Sequence, residues 1–178
     1  MKIIGITGKI GSGKDAVSKY LVKEHGFKSI SIGDLVRAEA KKQDVSLTRI
    51  NLSRISKKFT DKFGLDYWSE CVVKKIKQMK GDKFVVNGIR RFEDYEQISK
   101  SFKSFKFYMV DVKPKTRFER MKKRSRPGDP KTYDQFKKQE KNEYKLYTNF
   151  KRTLKQVDGK IDNNKSLNSL HKNIKSIL

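Results

Sequence analysis

Cysteine is nearly absent from this chain of 178 residues. Cys71 stands alone, which excludes an internal disulfide and any cysteine-built metal cluster. Histidine is scarce too, and His25 and His171 lie so far apart in sequence that each reads as a surface or helix-end residue. No apolar run approaches membrane-spanning length, and no stretch rich in proline, glycine or serine divides the chain. The first residues enter a strand pattern directly, without the basic-then-apolar order of a secretory signal. These absences predict one domain over residues 1–178, in the cytoplasm, with no membrane partner. Acidic residues are also in deficit, 20 against 44 lysines and arginines, for a formal charge of +24. That sign fits an anionic partner without saying which. The lysines are spread along the whole chain and lack the arginine-aromatic interleaving of a single-strand binder, so solvated faces account for them better than nucleic acid does.

What is present is organised around GKIGSGKD, Gly8 to Asp15, directly after the apolar run Ile3, Ile4, Ile6. Gly8, Gly13 and Lys14 fit the phosphate-loop pattern of Gly, four residues, Gly-Lys, with Asp15 where that pattern asks for Ser or Thr. Gly11 and Gly13 permit positive φ and leave bare backbone against which a phosphate fits. Successive N–H groups around Ser12 can then point inward at an anion. Lys14 adds a mobile positive charge, and the helical pattern Ala16, Val17, Tyr20, Leu21 aims a helix N-terminus at the same anion. In place of a neutral hydroxyl, Asp15 offers a carboxylate that could ligate Mg²⁺ directly, act through water, or pair with a lysine.

Taken in order, Lys2 to Thr7 predicts a buried strand and residues 15 to 25 a helix closing near Gly26. Phe27 to Ile32 reads as a second strand, ended by SIGDLVRAEA, where Gly33 and Asp34 turn the chain and Leu35, Val36 and Arg37 open a helix. Apolar residues recur at Leu47, Ile50, Ile55, Phe59 and Phe63, and again at Trp68, Val72, Ile76 and Met79. This predicts two amphipathic helices parted at Gly64, inserted over a site. Lys83 to Gly88 is a continuous apolar strand, with Arg90 and Arg91 at its carboxyl edge and a helix from Phe92. Phe105 to Val112 is a fourth strand, ended by Pro114. The arginine-rich run RFERMKKRSRPGDP follows, Thr132 and Gln135 form a capping box for a long helix, Lys160 to Asn163 gives a short last strand, and Leu167 to Ile177 a closing helix. Strands alternating with helices behind a phosphate loop predict an α/β fold: a doubly wound, parallel, five-stranded sheet whose ligands lie at the strands' carboxyl ends.

Over nearly its whole length the chain resembles the nucleoside monophosphate kinases of the adenylate kinase type, within the P-loop kinases. SIGDLVRAEA is similar to the family segment in which an Asp organises water around Mg²⁺ and an Arg holds the acceptor's phosphate, which implies those roles for Asp34 and Arg37. NGIRR resembles the family's Asp-Gly-Phe-Pro-Arg, implying an acceptor contact for Arg90 or Arg91, with Asn87 in place of the usual Asp. RMKKR resembles the start of the lid and implies that Arg120 and Arg124 contact adenine and the ATP phosphates; Arg126 matches a lid arginine that bridges donor and acceptor. The resemblance implies ATP and Mg²⁺ as cofactors, an acceptor-binding insertion at about 34–80 and a short lid at about 113–131. Its GKD and IRRFED segments resemble phage-type deoxynucleoside monophosphate kinases. ITGKIGSGK and the frame from GDLVRAEA to DPKTYDQF resemble archaeal adenylate-kinase-related proteins, a group likened also to dephospho-coenzyme A kinases.

The expected activity is ATP-dependent phosphoryl transfer to a nucleoside or deoxynucleoside monophosphate, with dephospho-coenzyme A as a hydroxyl-bearing alternative. A P-loop protein acting on RNA or the ribosome is a third reading, resting on the charge alone. Transfer between two phosphates brings several negative charges together, so Lys14, Mg²⁺ and bidentate arginines are the parts that chemistry requires. The segment from Lys113 to Lys131 carries few apolar anchors in the sequence and is expected to move.

Overall fold

A computed structural model describes residues 1–126 and 128–178, with Arg49 taken without its side chain. Of the Pro-Gly break expected at 127–128, residue 127 lies outside the described residues. The strands are β1 (Lys2–Thr7), β2 (Lys28–Ser31), β3 (Lys83–Asn87), β4 (Phe105–Asp111) and β5 (Gly159–Asp162). Between and after them run α1 (Lys14–His25), α2 (Ile32–Lys42), α3 (Arg49–Phe63), α4 (Tyr67–Gln78), α5 (Phe92–Ser101), α6 (Pro114–Arg124), α7 (Tyr133–Leu146), α8 (Phe150–Leu154) and α9 (Leu167–Lys175). The five strands form one parallel sheet in the order β2-β3-β1-β4-β5, the doubly wound arrangement the strand-helix alternation predicts.

Strands buried on both faces must be apolar throughout, and β1 divides its side chains accordingly. Ile3 joins Phe84, Val86 and Phe107 beneath α2, α4 and α5, while Ile4 and Ile6 join Val85 and Val110 against α1 and α9. The helices start where short polar side chains can take a free N–H: Ser31 accepts from Asp34 N, Thr48 from Asn51 N and Ser166 from Ser169 N. Thr132 and Gln135 form the expected capping box at α7. The cap at Ser31 ends the second strand before Ile32 and starts α2 there, so Gly33 and Asp34, expected as a turn ahead of Leu35, lie in the first turn of the helix. Helices α3 and α4 complete the core layer through Ile55, Trp68, Val72 and Ile76, each of them buried. The distant histidines meet on one ring, His171 stacked on Tyr20 at 4.0 Å between centroids and His25 tilted at 5.4 Å, and this ties α1 to α9.

Two features were not read from the sequence. The arginine-rich run is not bare of anchors: Pro114 sits in the first turn of α6, and Arg117, Phe118 and Met121 fall on its buried face. Phe118 and Met121 pack with Ile10, Tyr133 and Phe136 in a separate small cluster between the phosphate loop and α7. This corrects the expectation of few apolar anchors over 113–131. The short α8 carries too few residues to show a helical period.

One buried acid sets a pH dependence. Asp94 is 3 % exposed, its Oδ1 lacks a hydrogen-bond partner among the described residues, and burial pushes its carboxyl up from 3.8 to about 7 against the pull of Arg91. Between those values the folded chain keeps a proton that the unfolded chain has released. The associated stability is present at acid pH and is lost as pH rises through 7. Between pH 5 and pH 8 the loss should be roughly 3 kcal/mol. Urea midpoints of Asp94→Asn should lack this slope; parallel curves for the two proteins would disprove it.

Candidate functional site

After β1 the chain packs α1 on one face of the sheet and after β3 it packs α5 on the other, so the carboxyl ends of these neighbouring strands form a topological switch point. Their register pairs Ile6 with Asn87, Gly88 N donates to Ile6 O at 3.0 Å, and the buried Thr7 hydroxyl donates to Ile89 O at 2.6 Å. The loop from Gly8 to Gly13 and the arginines after β3 are thereby held side by side.

Within the loop, Gly13 has φ +87° and caps α1. A Cβ there would lie 2.5 Å from Asn163 Nδ2, so both the backbone angle and the space require glycine. Asn163, buried at the end of β5, donates through that Nδ2 to Ser12 O at 2.9 Å. At Gly11, φ +76°, a Cβ would come within 3.0 Å of Arg117 O and of Met121. Arg117 is 1 % exposed and threads under the loop: Nη1 donates to Ile10 O at 3.0 Å, Nε to Val112 O at 3.1 Å, and Nη2 to Glu140 Oε1 at 2.8 Å. Its guanidinium also lies 5.0 Å from the centroid of the Phe136 ring.

Lys14 bends back over its own loop, donating to Gly8 O at 2.8 Å and Lys9 O at 3.3 Å. Loss of water around this ammonium, with Arg90 nearby, lowers it from 10.5 to about 7, although Glu143 and Asp15 pull the other way. Arg90 donates from Nε to Glu143 Oε1 at 2.9 Å. Burial works against its charge, but Glu143 and Tyr147 more than compensate and raise it above its ordinary value. Both Arg90 and Arg91 lie over the Tyr147 ring, at 5.5 and 5.4 Å. Asp15 is exposed and accepts from Asn87 Nδ2 at 2.9 Å, while the other polar side-chain atom of Asn87, Oδ1, is buried and has no hydrogen-bond partner among the described residues, as is the case for Ser12 Oγ.

The other expected site residues stand further from the loop. Ser31 is the β2 partner of Asn87, so Asp34, three residues on, shares the carboxyl edge. It is 71 % exposed and paired with Arg37 Nη1 at 2.5 Å. Arg120 is half-buried on α6. Arg124 grips Asp129 through two nitrogens at 2.7 and 2.8 Å, and the Arg126 N–H donates to the same carboxylate at 3.1 Å. Arg126, Asp129 and Pro130 line an open hollow of about 570 Å³. The structure therefore gathers Gly8, Gly11, Ser12, Gly13, Lys14, Asp15, Arg90 and Arg91 at one place, Asp34 and Arg37 on the same sheet edge, and Arg120, Arg124 and Arg126 along α6 and the turn after it. Arg117, Glu143 and Asn163 belong to the site and were not picked out from the sequence. The signal for Glu143 was its spacing: Glu140 and Glu143 share one face of a lysine-rich helix.

Comparison with known proteins agrees with this architecture. A family model described as AAA domain matches residues 4–156. The UPF0200 protein of Thermococcus kodakarensis is 32% identical over 148 residues, covering 81% of this chain and 80% of that one. A gluconokinase structure from Sinorhizobium meliloti aligns at TM-score 0.60 and 13% identity, covering 99% of this chain and 93% of its own. A shikimate kinase from Bacteroides thetaiotaomicron aligns at TM-score 0.62 and 13% identity, covering 99% and 96%. The fold is that of the P-loop kinases. No helix among the described residues is long and apolar enough to cross a membrane.

Proposed function

This chain belongs to the AAA domain family and, with its relatives, to the UPF0200 proteins, and from that premise we propose that it transfers the γ-phosphoryl group of ATP to a nucleoside or deoxynucleoside monophosphate. The observation that carries the reading is the convergence of the Gly8–Lys14 loop with Arg90 at the carboxyl ends of β1 and β3, where Glu143 contacts both. One provides a cradle of N–H groups and a lysine for the donor phosphates; the other provides a forked cation beside them. Lys14 would leave the Gly8 and Lys9 carbonyls for the moving phosphoryl group. Arg90 would stand where the donor and acceptor phosphates meet, Arg91 would face the acceptor, and Arg37 would exchange Asp34 for the acceptor's phosphate. On α6, Arg120 and Arg124 would meet the nucleotide, and Arg126 would approach as the turn after α6 closes.

The donor set suits a hydrated Mg²⁺. Asn87 Oδ1 is buried without a partner next to the exposed Asp15 carboxylate, and both are hard oxygen ligands. Asp15 with Asn87, and Asp34 through water, are the residues that would hold the ion. Bound there, Mg²⁺ would screen the phosphate charges.

A second reading takes a hydroxyl acceptor such as dephospho-coenzyme A. It is favoured by the aligned gluconokinase and shikimate kinase structures and by Asp34, a carboxylate at the right edge to take a proton. ATP turnover measured against every nucleoside monophosphate, the deoxy forms and dephospho-coenzyme A tests both readings; no turnover with any of them removes both. Asp34→Asn separates them. With a phosphate acceptor no base is needed, so added Mg²⁺ or Mn²⁺ should restore much of the lost rate with an unchanged pH profile. With a hydroxyl acceptor the variant should lose ~10²–10⁴-fold together with the acid limb of the pH–rate curve, and metal should not restore it. The first outcome is expected.

A further inference from the structure

Helix α7 packs beside the phosphate loop, Phe136 against Ile10, and brings two carboxylates to it. Glu140 is taken up by Arg117 and belongs to the support beneath the loop. Glu143 is different, because both of its partners are groups that an incoming phosphate needs. Its Oε2 accepts from the backbone N–H of Ile10, within the loop, at 3.3 Å, and its Oε1 accepts from Arg90 Nε at 2.9 Å. Its side chain is 12% exposed, so water does little to weaken either bond.

Resting on the phosphoryl-transfer reading, we infer that Glu143 is an internal stand-in for phosphate: its carboxylate occupies the anion position between the Ile10 amide and Arg90, and a polyphosphate enters by displacing it. Two anions cannot share one N–H and one guanidinium edge at this distance. A ligand that takes them must send Glu143, and the last turn of α7 with it, away from the loop. The carboxylate also keeps the half-buried Arg90 guanidinium compensated. Entry is then an exchange of one anion for another. Glu143 sets a threshold: a chain of phosphates, with contacts along the whole loop, exceeds it, whereas a single inorganic phosphate gains little beyond what the carboxylate already supplies. Glu143 therefore acts as a specificity-determining residue that keeps free phosphate out of a nucleotide site.

The test is titration with inorganic tripolyphosphate of the full chain, Glu143→Gln and Lys14→Ala. If the engaged state is dominant, its removal lowers the apparent Kd by the fraction it had withheld, on the order of tenfold. Glu143→Gln should bind tripolyphosphate that much more tightly and should also gain measurable affinity for orthophosphate. Equal or weaker binding of tripolyphosphate by this variant overturns the inference. Lys14→Ala separates its failure from failure of the underlying reading. If wild type binds and Lys14→Ala does not, the site is a phosphate site and only the role of Glu143 is at stake; if neither wild type nor Glu143→Gln binds, both fall. Amide exchange on wild type needs no variant to fold. Residues 140–147 should exchange faster with tripolyphosphate bound, and slower or unchanged exchange there refutes displacement.

Discussion

Lys14→Ala should reduce phosphoryl transfer on the order of 10³-fold and leave the fold intact. The side chain donates to two carbonyls of its own loop and belongs to none of the apolar clusters, so its loss removes charge from the moving phosphoryl group and leaves those clusters intact. Because its ammonium is lowered to about 7, the empty protein above that pH holds Lys14 increasingly neutral, and a bound phosphate must restore its proton. Wild-type affinity for ATP should fall as pH rises from 7 to 9, with uptake of up to about one proton on binding. Titration calorimetry in two buffers of different ionisation enthalpy reads that proton directly. Both the pH dependence and the uptake should vanish in Lys14→Ala; turnover equal to wild type would end the kinase reading.

Arg117→Met should be the most destabilising change in the neighbourhood of the loop. It deletes three hydrogen bonds from a group that is 1 % exposed, leaves Glu140 with the longer Lys9 contact at 3.9 Å, and strands two carbonyls. Breaking one side of a buried pair costs about 3–5 kcal/mol. Urea unfolding should show that loss, and replacing Glu140 with Leu in the same chain should recover part of it, since the under-compensated carboxylate is then gone while the Ile10 and Val112 carbonyls stay unpaired. Lysine cannot substitute, because one ammonium cannot reach the Ile10 and Val112 carbonyls and Glu140 in Arg117's fork geometry. A midpoint unchanged from wild type would show that water relieves what the closed surroundings deny.

The fold was legible because local and global signals agree. The apolar runs of β1 and β3 suit strands covered on both faces, Gly26 and Gly64 stop helices where the periodicity stops, and Thr132 with Gln135 announces α7. The loop itself was legible because its chemistry is contiguous, from Gly8 to Asp15. What could not be read was contact across distance. Arg117 looked like one cation among several in RFERMKKR, and only the phase set by Pro114 turns it inward under Ile10. Asn163 and Glu143 act on the loop from 151 and 133 residues away, and neither residue type signals such a role by itself. The arginines after Arg117 were legible as cations but not as partners: Arg124 is committed to Asp129, a pairing set by the turn after α6.

The bond from Asn163 to Ser12 also fixes when the site can exist. The loop is made within the first fifteen residues, yet its shape is completed from β3, from α7 and finally from the end of β5. On a ribosome adding ~5–20 residues per second, the 151 residues between Ser12 and Asn163 take about 8–30 s to appear. For that interval the growing chain carries the glycines and the lysine but not the bond that holds Ser12 in place. The proposed capture of a nucleotide by this loop would therefore have its full support only once β5 has emerged, and a chain cut short before β5 would carry the phosphate-binding sequence without the bond that holds Ser12.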